Sequence, residues 1–302
     1  MTGGPTASVG RASDRAAVRS LTIDDVVVTY VVDGVLMMRP DKFFPAIPAE
    51  FWSARTDLLT IGGDIPMSAG GLLVELTGTT MLIDAGVGAM TTELGIGSVD
   101  CGSMVDVLHT LGRRTQDIDI LAFTHLHFDH AGWAYTDGTK TFPNARYVLA
   151  AREWAPYASG ERATDVATPK EVVAALASDP MLTVFGDDDV IVPGVRAVVT
   201  SGHSPGHASY VITSRAGRRL IVIGDAFHTT AQLAHPDWLS VADSGAAGVA
   251  AARRRLLTEV TQPNTIGFGF HFGDQPFGRV VADSDGVTWD PVPTVALAPP
   301  PR

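Results

Sequence analysis

Four side chains that can bind a metal ion lie within six consecutive residues of this chain. The segment THLHFDH, residues 124–130, supplies the imidazoles of His125, His127 and His130 and the carboxylate of Asp129. Crowding these groups gives a soluble surface no stability, whereas imidazole and carboxylate are ligands that divalent metals accept. The spacing therefore predicts a metal site. The alternatives are a solvated histidine-rich loop and a single histidine held by a core hydrogen bond.

The residues before this segment predict how its ligands are oriented. Residues 119–123, DILAF, form a short apolar run that is typical of a buried strand. Side chains two residues apart in an extended chain point to the same side, so His125 and His127 can share one ion. Asp129 and His130 come after a turn and are expected to face a second ion. Such a loop favours a two-metal site with ions roughly 3.5–4 Å apart.

Three later segments can complete these sites, and each follows a strand-like run. His203 lies in the segment TSGHSPGH, whose glycines allow tight turns. Asp225 follows an apolar run and is interpreted as a bridge between the two ions. His271 follows another such run, and His207 is expected to stabilise a turn or a ligand. The strand-like runs are residues 195–200, 220–223 and 265–270.

Together these motifs resemble those of the metallo-β-lactamase superfamily of hydrolases. The resemblance rests on HxHxDH at 125–130, TxGHxPGH at 200–207, GDAFH at 224–228, GFHF at 269–272 and LIDAG at 82–86. It implies an α/β (α+β) chain folded as a four-layer αββα sandwich, with a dinuclear site at one edge between the sheets. The sequence agrees, because strand-like runs alternate with helical stretches near residues 104–111, 170–177 and 246–260.

The resemblance also implies roles for the motif residues. It assigns His125, His127 and His203 to one ion, Asp129, His130 and His271 to the other, Asp225 as the bridge, and Asp84 as a residue that orients ligands from behind. Donors without thiolate suit two zinc ions, with manganese, iron, cobalt and nickel as alternatives. The expected chemistry is hydrolysis by a metal-activated water. Asp129, Asp225 and His228 are the expected catalytic residues.

Around HxHxDH and GDAFH the chain is most similar to the branch containing N-acyl homoserine lactone lactonases and methyl parathion hydrolase. His228 stands where those lactonases usually carry a tyrosine, and Trp133 where many carry a glycine. His228 is interpreted as a transition-state donor, a partner of Asp225 or a loop residue. We expect an ester or lactone hydrolase for a small, largely apolar molecule. The alternatives are an aryl phosphotriester hydrolase, a thioester hydrolase, a tailoring enzyme of secondary metabolism, an iron redox protein and a non-catalytic metal-binding protein.

Aromatic residues outside the motifs are candidates for a substrate pocket. Residues 37–67 are rich in phenylalanine, tryptophan and proline, and are predicted to form either an arm packed on the body or another subunit, or a lid. The pocket candidates are Phe43, Phe44, Phe51, Trp52, Trp133, Trp238, Phe272 and Arg279, the last with a salt bridge as its alternative. The run Arg253–Arg255 lies on a predicted helix and is interpreted as a solvated face.

Composition restricts the class of protein further. The 302 residues are 45% hydrophobic, enough for one sizeable domain. We expect this domain at 21–290, between a disordered tail at 1–20 and a proline-rich tail at 291–302. The net charge of −11 disfavours nucleic acid as a partner, and the single cysteine excludes a disulfide within the chain. Without a secretory or membrane-spanning run, the sequence predicts a cytoplasmic protein that acts on a small molecule; a homodimer is compatible with it.

Overall fold

A computed structural model describes residues 6–162, 167–284 and 286–301, which form two facing sheets with helices outside them. The strands are β1 (Ala7–Ser8), β2 (Val18–Ile23), β3 (Val26–Met38), β4 (Ile65–Leu76), β5 (Thr79–Ile83), β6 (Met90–Leu94), β7 (Gly97–Cys101), β8 (Ile120–Ala122), β9 (Tyr135–Thr136), β10 (Thr139–Lys140), β11 (Arg146–Ala150), β12 (Thr183–Phe185), β13 (Val190–Val192), β14 (Val195–Val199), β15 (Ala208–Thr213), β16 (Arg219–Val222), β17 (Thr265–Phe268), β18 (Phe277–Asp283), β19 (Gly286–Pro291) and β20 (Thr294–Ala298). The α-helices are α1 (Pro40–Phe43), α2 (Ala49–Ala54), α3 (Met104–Thr110), α4 (Phe128–Ala131), α5 (Ala151–Ala158), α6 (Lys170–Ala177), α7 (Ala231–Ala234) and α8 (Ala246–Val260). Within these ranges, no helix is long and apolar enough to span a membrane.

The larger sheet positions the first metal-binding motif. Its strand order is β1-β20-β2-β3-β4-β5-β8-β11-β12, and the β6–β7 hairpin pairs with the C-terminal part of β3. Because β5, β8 and β11 are parallel, their carboxyl ends lie at the same edge of the sheet. Asp84 follows β5 and the segment 124–130 follows β8. These residues therefore emerge side by side.

The smaller sheet brings the remaining candidate ligands to the same place. Its order is β13-β14-β15-β16-β17-β18-β19. Strands β14, β16 and β17 point in one direction, because β15 is antiparallel to both β14 and β16 and β16 is parallel to β17. His203, Asp225 and His271 follow these three strands. Each sheet thus presents its ligands where its parallel strands end.

The main core lies between the inner faces of the two sheets. It is built from apolar residues of both sheets, such as Val28, Leu72, Val222 and Phe268. Burying each such side chain contributes about 1.5–3 kcal/mol. A second core joins the larger sheet to α3, α5 and α6, and another joins the smaller sheet to α8. These four layers confirm the predicted αββα sandwich.

The described parts of both termini belong to the larger sheet, which corrects the prediction of loose tails at 1–20 and 291–302. Strands β1 and β2 both pair with β20, and Ala16 and Val18 are fully buried. The physical reason is a buried ion pair. Arg19 Nε donates to Asp274 Oδ1 at 2.6 Å, and the backbone N–H of Ala17 donates to the same oxygen at 2.8 Å. A single domain over 21–290 stays a prediction, and residues 1–5 and 302 lie outside the described residues.

We expect Asp274→Ala to lower the free energy of unfolding by about 3–5 kcal/mol, because it leaves the buried guanidinium of Arg19 without its carboxylate. Asp57→Ala is the matched control, since it breaks the exposed ion pair with Arg55 and should cost less than about 1 kcal/mol. Urea unfolding measures both variants. Equal losses would show that the terminal strands do not depend on the buried pair.

Candidate metal centre

Three buried imidazoles converge at the edge between the sheets. Nε2 of His203 lies 3.1 Å from Nε2 of His125 and 2.9 Å from Nδ1 of His127. Unprotonated nitrogens repel each other at these distances unless a cation lies between them. Three zinc–nitrogen bonds of about 2.0–2.1 Å would place the nitrogens at roughly this separation. The trio therefore fits one divalent ion.

A second buried cluster lies beside the first. Oδ1 of Asp225 is 3.2 Å from Nε2 of His130 and 3.1 Å from Nε2 of His271. Oδ2 of Asp129 is 3.6 and 3.7 Å from the same two nitrogens. Among the described residues, both nitrogens and Asp225 Oδ1 lack a hydrogen-bond partner. Buried polar atoms are rarely left without a partner. This donor set therefore fits a second ion.

The carboxylate of Asp225 faces both clusters. While Oδ1 faces the second cluster, Oδ2 lies 3.4 Å from Nε2 of His203 and 3.9 Å from Nε2 of His125. The backbone N–H of Asp225 donates to Nε2 of His207 at 2.9 Å. This contact requires glycine at position 224, because φ there is +60° and a Cβ atom would lie 2.4 Å from that nitrogen. Asp225 is thus held where one carboxylate can bridge two ions.

Acceptors outside the clusters fix the tautomers of four histidines. The Nδ1 contacts are His130 to Asp84 Oδ2 at 2.8 Å, His271 to the Ser68 carbonyl at 2.9 Å, His203 to Asp243 Oδ1 at 3.1 Å and His125 to Thr124 Oγ1 at 3.0 Å. The Thr124 hydroxyl donates to Asp84 at 2.7 Å, so it accepts from His125. With Nδ1 protonated, each ring directs the lone pair of Nε2 into a cluster, which is how outer partners orient metal ligands. His127 differs, because its Nδ1 faces the first cluster.

One buried carboxylate that supports the site was not found in the sequence. Glu153 on α5 accepts hydrogen bonds from Leu126 N at 3.2 Å, Ser204 Oγ at 2.7 Å and Gly206 N at 2.9 Å. It thereby connects the loop of His125 and His127 to the loop of His203. No local sequence pattern indicates this role of Glu153, because its hydrogen-bond partners lie 27 to 53 positions away along the chain.

The two clusters differ in proton affinity. Burial lowers the pKa of His125 and of His127 well below the usual value, and neighbouring imidazoles add to this effect. In the second cluster burial also lowers the pKa of the imidazoles. Nearby carboxylates outweigh it, Asp225 most of all, so the pKa of His130 and of His271 is raised above the usual value. Burial alone raises the pKa of Asp225, yet the surrounding imidazoles hold it well below its usual range.

Metal affinity should therefore depend on pH differently at the two clusters. At His130 and His271, whose pKa is raised, an incoming ion competes with protons, so zinc affinity should fall steeply as the pH is lowered. At His125 and His127, whose pKa is lowered, competition with protons is weaker and zinc affinity should change less over the same pH range. Zinc titrations against a chromophoric chelator at several pH values measure this. Equal pH slopes at both sites would contradict the assignment.

A cavity of about 430 Å³ opens onto the clusters. Its apolar wall comes from β3 and β4, the tip of the β6–β7 hairpin, the arm and the segment before α8: Leu36, Met38, Met67, Leu94, Ile96, Phe43 and Val241. Arg162 is the only lysine or arginine in the wall among the described residues, and it lies over the ring of Tyr157 at 5.6 Å. Sequence reasoning missed it. The cavity suits a largely apolar molecule that carries a polar group.

His228 lines this cavity beside the bridging carboxylate. Its Nε2 lies 3.2 Å from Asp225 Oδ2, outside hydrogen-bond geometry, and both ring nitrogens lack partners among the described residues. The ring of Phe43 packs on the imidazole in a T-shaped arrangement, at 5.5 Å between the ring centres. Burial lowers the pKa of His228 despite the adjacent carboxylate. A buried neutral imidazole therefore faces the cavity.

Of the arm residues proposed for a pocket, Phe43 alone lines this cavity. Phe44 packs behind Phe43 at 4.9 Å, and Trp52 lies next to Phe44 at 5.9 Å. Phe51 packs against Trp238 at 4.9 Å, outside the cavity. The segment 37–67 is thus an arm packed on the body that contributes one ring to the wall.

Four pocket candidates lie outside the arm. Trp238 packs against Phe51 and does not line the cavity, and the other three point elsewhere. Trp133, expected at the mouth of the site, donates its Nε1–H to Asp33 Oδ1 at 2.8 Å, because that buried carboxylate organises the backbone around it. Phe272 is buried against Trp289, at 5.0 Å between rings. Arg279 is exposed on β18, opposite Asp290 in β19. None of the three lines the cavity.

Comparisons with known proteins agree with this geometry. The family model of the metallo-beta-lactamase superfamily matches residues 71–265. The N-acyl homoserine lactonase of Bacillus cereus is 32% identical over 129 residues, which cover 42% of this chain and 45% of the relative. The N-acyl homoserine lactonase AttM of Agrobacterium fabrum is 28% identical over 135 residues, 41% of this chain and 47% of the relative. The chain thus spans just under half the length of the curated relatives it matches.

Solved structures resemble the whole fold. AidC, a dizinc quorum-quenching lactonase in complex with a product, has a TM-score of 0.79 at 21% identity, with 93% of this chain and 99% of that chain covered. The hydrolase AbOPH of the beta lactamase superfamily has a TM-score of 0.76 at 22% identity, with the same coverage of both chains. At this identity the likeness shows the fold alone.

Proposed function

Because this chain belongs to the metallo-β-lactamase superfamily, as its motifs predicted, we propose that it is a metal-dependent hydrolase of an ester or lactone of a small, largely apolar molecule. The observation that carries this proposal is the carboxylate of Asp225, whose two oxygens face two ligand clusters at the base of an apolar cavity. Two divalent ions bound there, zinc by the donor chemistry, would activate a water by lowering its pKa to about 7.

The chain's own groups have distinct tasks in this reaction. Asp225 brings negative charge next to the imidazoles, and Asp129 would take a proton from the attacking water and pass it to the leaving oxygen. The neutral ring of His228 can donate an N–H to the oxyanion that develops on the substrate, where a fixed donor is most effective. The apolar wall excludes bulk water, which strengthens these interactions.

A lactone is the substrate class best supported. The curated relatives are N-acyl homoserine lactonases. Leu94 and Ile96 of the hairpin and Phe43 of the arm form a part of the wall that can hold an apolar chain. Arg162 can donate a hydrogen bond to a carbonyl of the same molecule. A phosphotriester is the second candidate, favoured by His228 in the place of the lactonase tyrosine. A homodimer and a cytoplasmic location remain predictions.

The test is a screen of purified, zinc-loaded protein against N-acyl homoserine lactones of increasing chain length, plain alkyl lactones, aryl esters and aryl phosphotriesters. We expect turnover of lactones that a chelator abolishes and added zinc restores. Turnover confined to phosphotriesters would select the second candidate. If none of these compounds is hydrolysed in a chelator-sensitive way, the proposed function is wrong.

Arg162→Ala tests the polar contact in the wall. We expect this substitution to raise KM for an N-acyl homoserine lactone by about tenfold, because a hydrogen bond to a charged group is worth about 1.5–3 kcal/mol. KM for a plain alkyl lactone, which has no amide carbonyl, should change by less than about twofold. Arg152→Ala is the control, since Arg152 is exposed on α5 and outside the cavity. Equal KM changes for both lactones would contradict a contact with the amide.

A further inference from the structure

One arginine of the run Arg253–Arg255 is not solvated, which corrects the interpretation of that run. Arg253 in the middle of α8 is fully buried, whereas Arg254 is exposed. Its guanidinium donates to the carbonyls of Ala226 at 2.6 Å, Pro236 at 3.1 Å and Trp238 at 2.6 Å. These carbonyls belong to the segment that begins at the bridging Asp225. Helix α8 thus holds that segment from behind.

The same guanidinium contacts the carboxylate behind one proposed metal ligand. Arg253 donates to Asp243 Oδ2 at 3.4 Å, and Asp243 Oδ1 accepts from Nδ1 of His203 at 3.1 Å. The backbone N–H of Ser240 donates to Asp243 at 2.8 Å. A continuous chain of buried contacts therefore runs from α8 through Asp243 to His203.

This arrangement does not describe a further cation site. His203, His228 and Asp243 lie close enough together to bind a metal ion. However, the guanidinium already supplies a positive charge to Asp243, and Nδ1 of His203 is directed at the carboxylate as a donor. A second ion would have to displace both contacts. The cluster is better explained as support for His203.

We propose that Arg253 and Asp243 are positioning residues that set the metal affinity of the His125, His127 and His203 cluster. Asp243 keeps the Nδ1–H tautomer of His203 and makes Nε2 a stronger donor, as carboxylate partners of metal-binding histidines do. Arg253 fixes Asp243 and, through the carbonyls, the segment that follows Asp225. This inference rests on the metal-dependent function proposed above. It adds that one helix controls one of the two sites.

The test measures zinc affinity rather than activity alone. Stepwise zinc binding by competition with a chromophoric chelator gives two dissociation constants for the wild type, Asp243→Asn, Arg253→Lys and Arg253→Met. We expect Asp243→Asn and Arg253→Met to weaken one of the two sites by about 10–100-fold and the other by less than about threefold. Arg253→Lys should recover part of the zinc affinity that Arg253→Met loses, since lysine keeps the positive charge but not the planar set of guanidinium donors. Arg254→Met is the matched control and should bind as the wild type does.

Urea unfolding of the same variants separates positioning from folding. Asp243→Asn is the milder change and keeps the test valid if Arg253→Met does not fold. A folded Asp243→Asn protein with both zinc affinities unchanged would overturn this inference alone. Equal weakening of both sites would also overturn it, because the effect would then be general. A wild-type protein that binds no zinc would overturn the proposed function as well.

Discussion

Asp225→Asn should reduce kcat/KM by more than about 100-fold, because removing an outer partner of a metal ligand already costs about 10–100-fold and Asp225 faces both clusters itself. An amide is neutral and offers one oxygen, so it cannot serve two ions equally. We expect the variant to retain at most one zinc per chain. Steady-state kinetics with the best substrate of the screen and metal analysis of the same sample measure the two effects.

The control for this experiment is Asp237→Asn, which lies outside the cavity and the clusters and should leave both quantities unchanged. The buried position of Asp225 makes folding a concern. Burying a neutral amide costs less than burying a charge, so Asp225→Asn should fold even without metal. If folded Asp225→Asn protein turned over substrate as fast as the wild type, the claim that the Asp225 carboxylate is shared by two ions would be wrong.

Glu153→Ala should lower the free energy of unfolding by about 3 kcal/mol or more, since each buried donor left without a partner costs about 1–3 kcal/mol. The substitution removes the common acceptor of Leu126 N, Ser204 Oγ and Gly206 N. It also separates the loops that carry His125 and His203. We therefore expect a loss of metal affinity together with the loss of stability, measured by urea unfolding with and without zinc.

Glu171→Ala on α6 is the matched control, because Glu171 is exposed and its loss should cost less than about 0.5 kcal/mol. Each zinc ion should stabilise the wild type by about 4 kcal/mol at a free concentration a thousandfold above the dissociation constant of its site. The increase in the free energy of unfolding on adding zinc should be smaller in Glu153→Ala. An unchanged increment would show that Glu153 supports the fold without supporting the metal centre.

The sequence indicated the candidate ligands because the segments that carry them follow strands. Apolar runs indicate strands, and the carboxyl ends of parallel strands lie at one edge, so His125, Asp225 and His271 could be brought together without coordinates. The spacing of His125 and His127 was equally informative. Local pattern and sheet geometry determine this part of the site.

The residues that support the ligands could not be predicted in this way. Glu153 and Arg253 act across many positions of the chain, and their role depends on which loops pack against α5 and α8. Trp133 was assigned to the pocket from its neighbours, but the buried carboxylate of Asp33 determines where its ring lies. The N-terminal strands β1 and β2 are ordered because β20, near the other end of the chain, pairs with both of them. Long-range packing decides all of these positions.

The most direct test of the central claim is a crystal structure of the zinc-loaded protein with anomalous data collected at the zinc edge. We predict two peaks roughly 3.5–4 Å apart, one among His125, His127 and His203 and the other among Asp129, His130 and His271. The carboxylate of Asp225 should lie between them. A single peak, or peaks away from these side chains, would contradict the account.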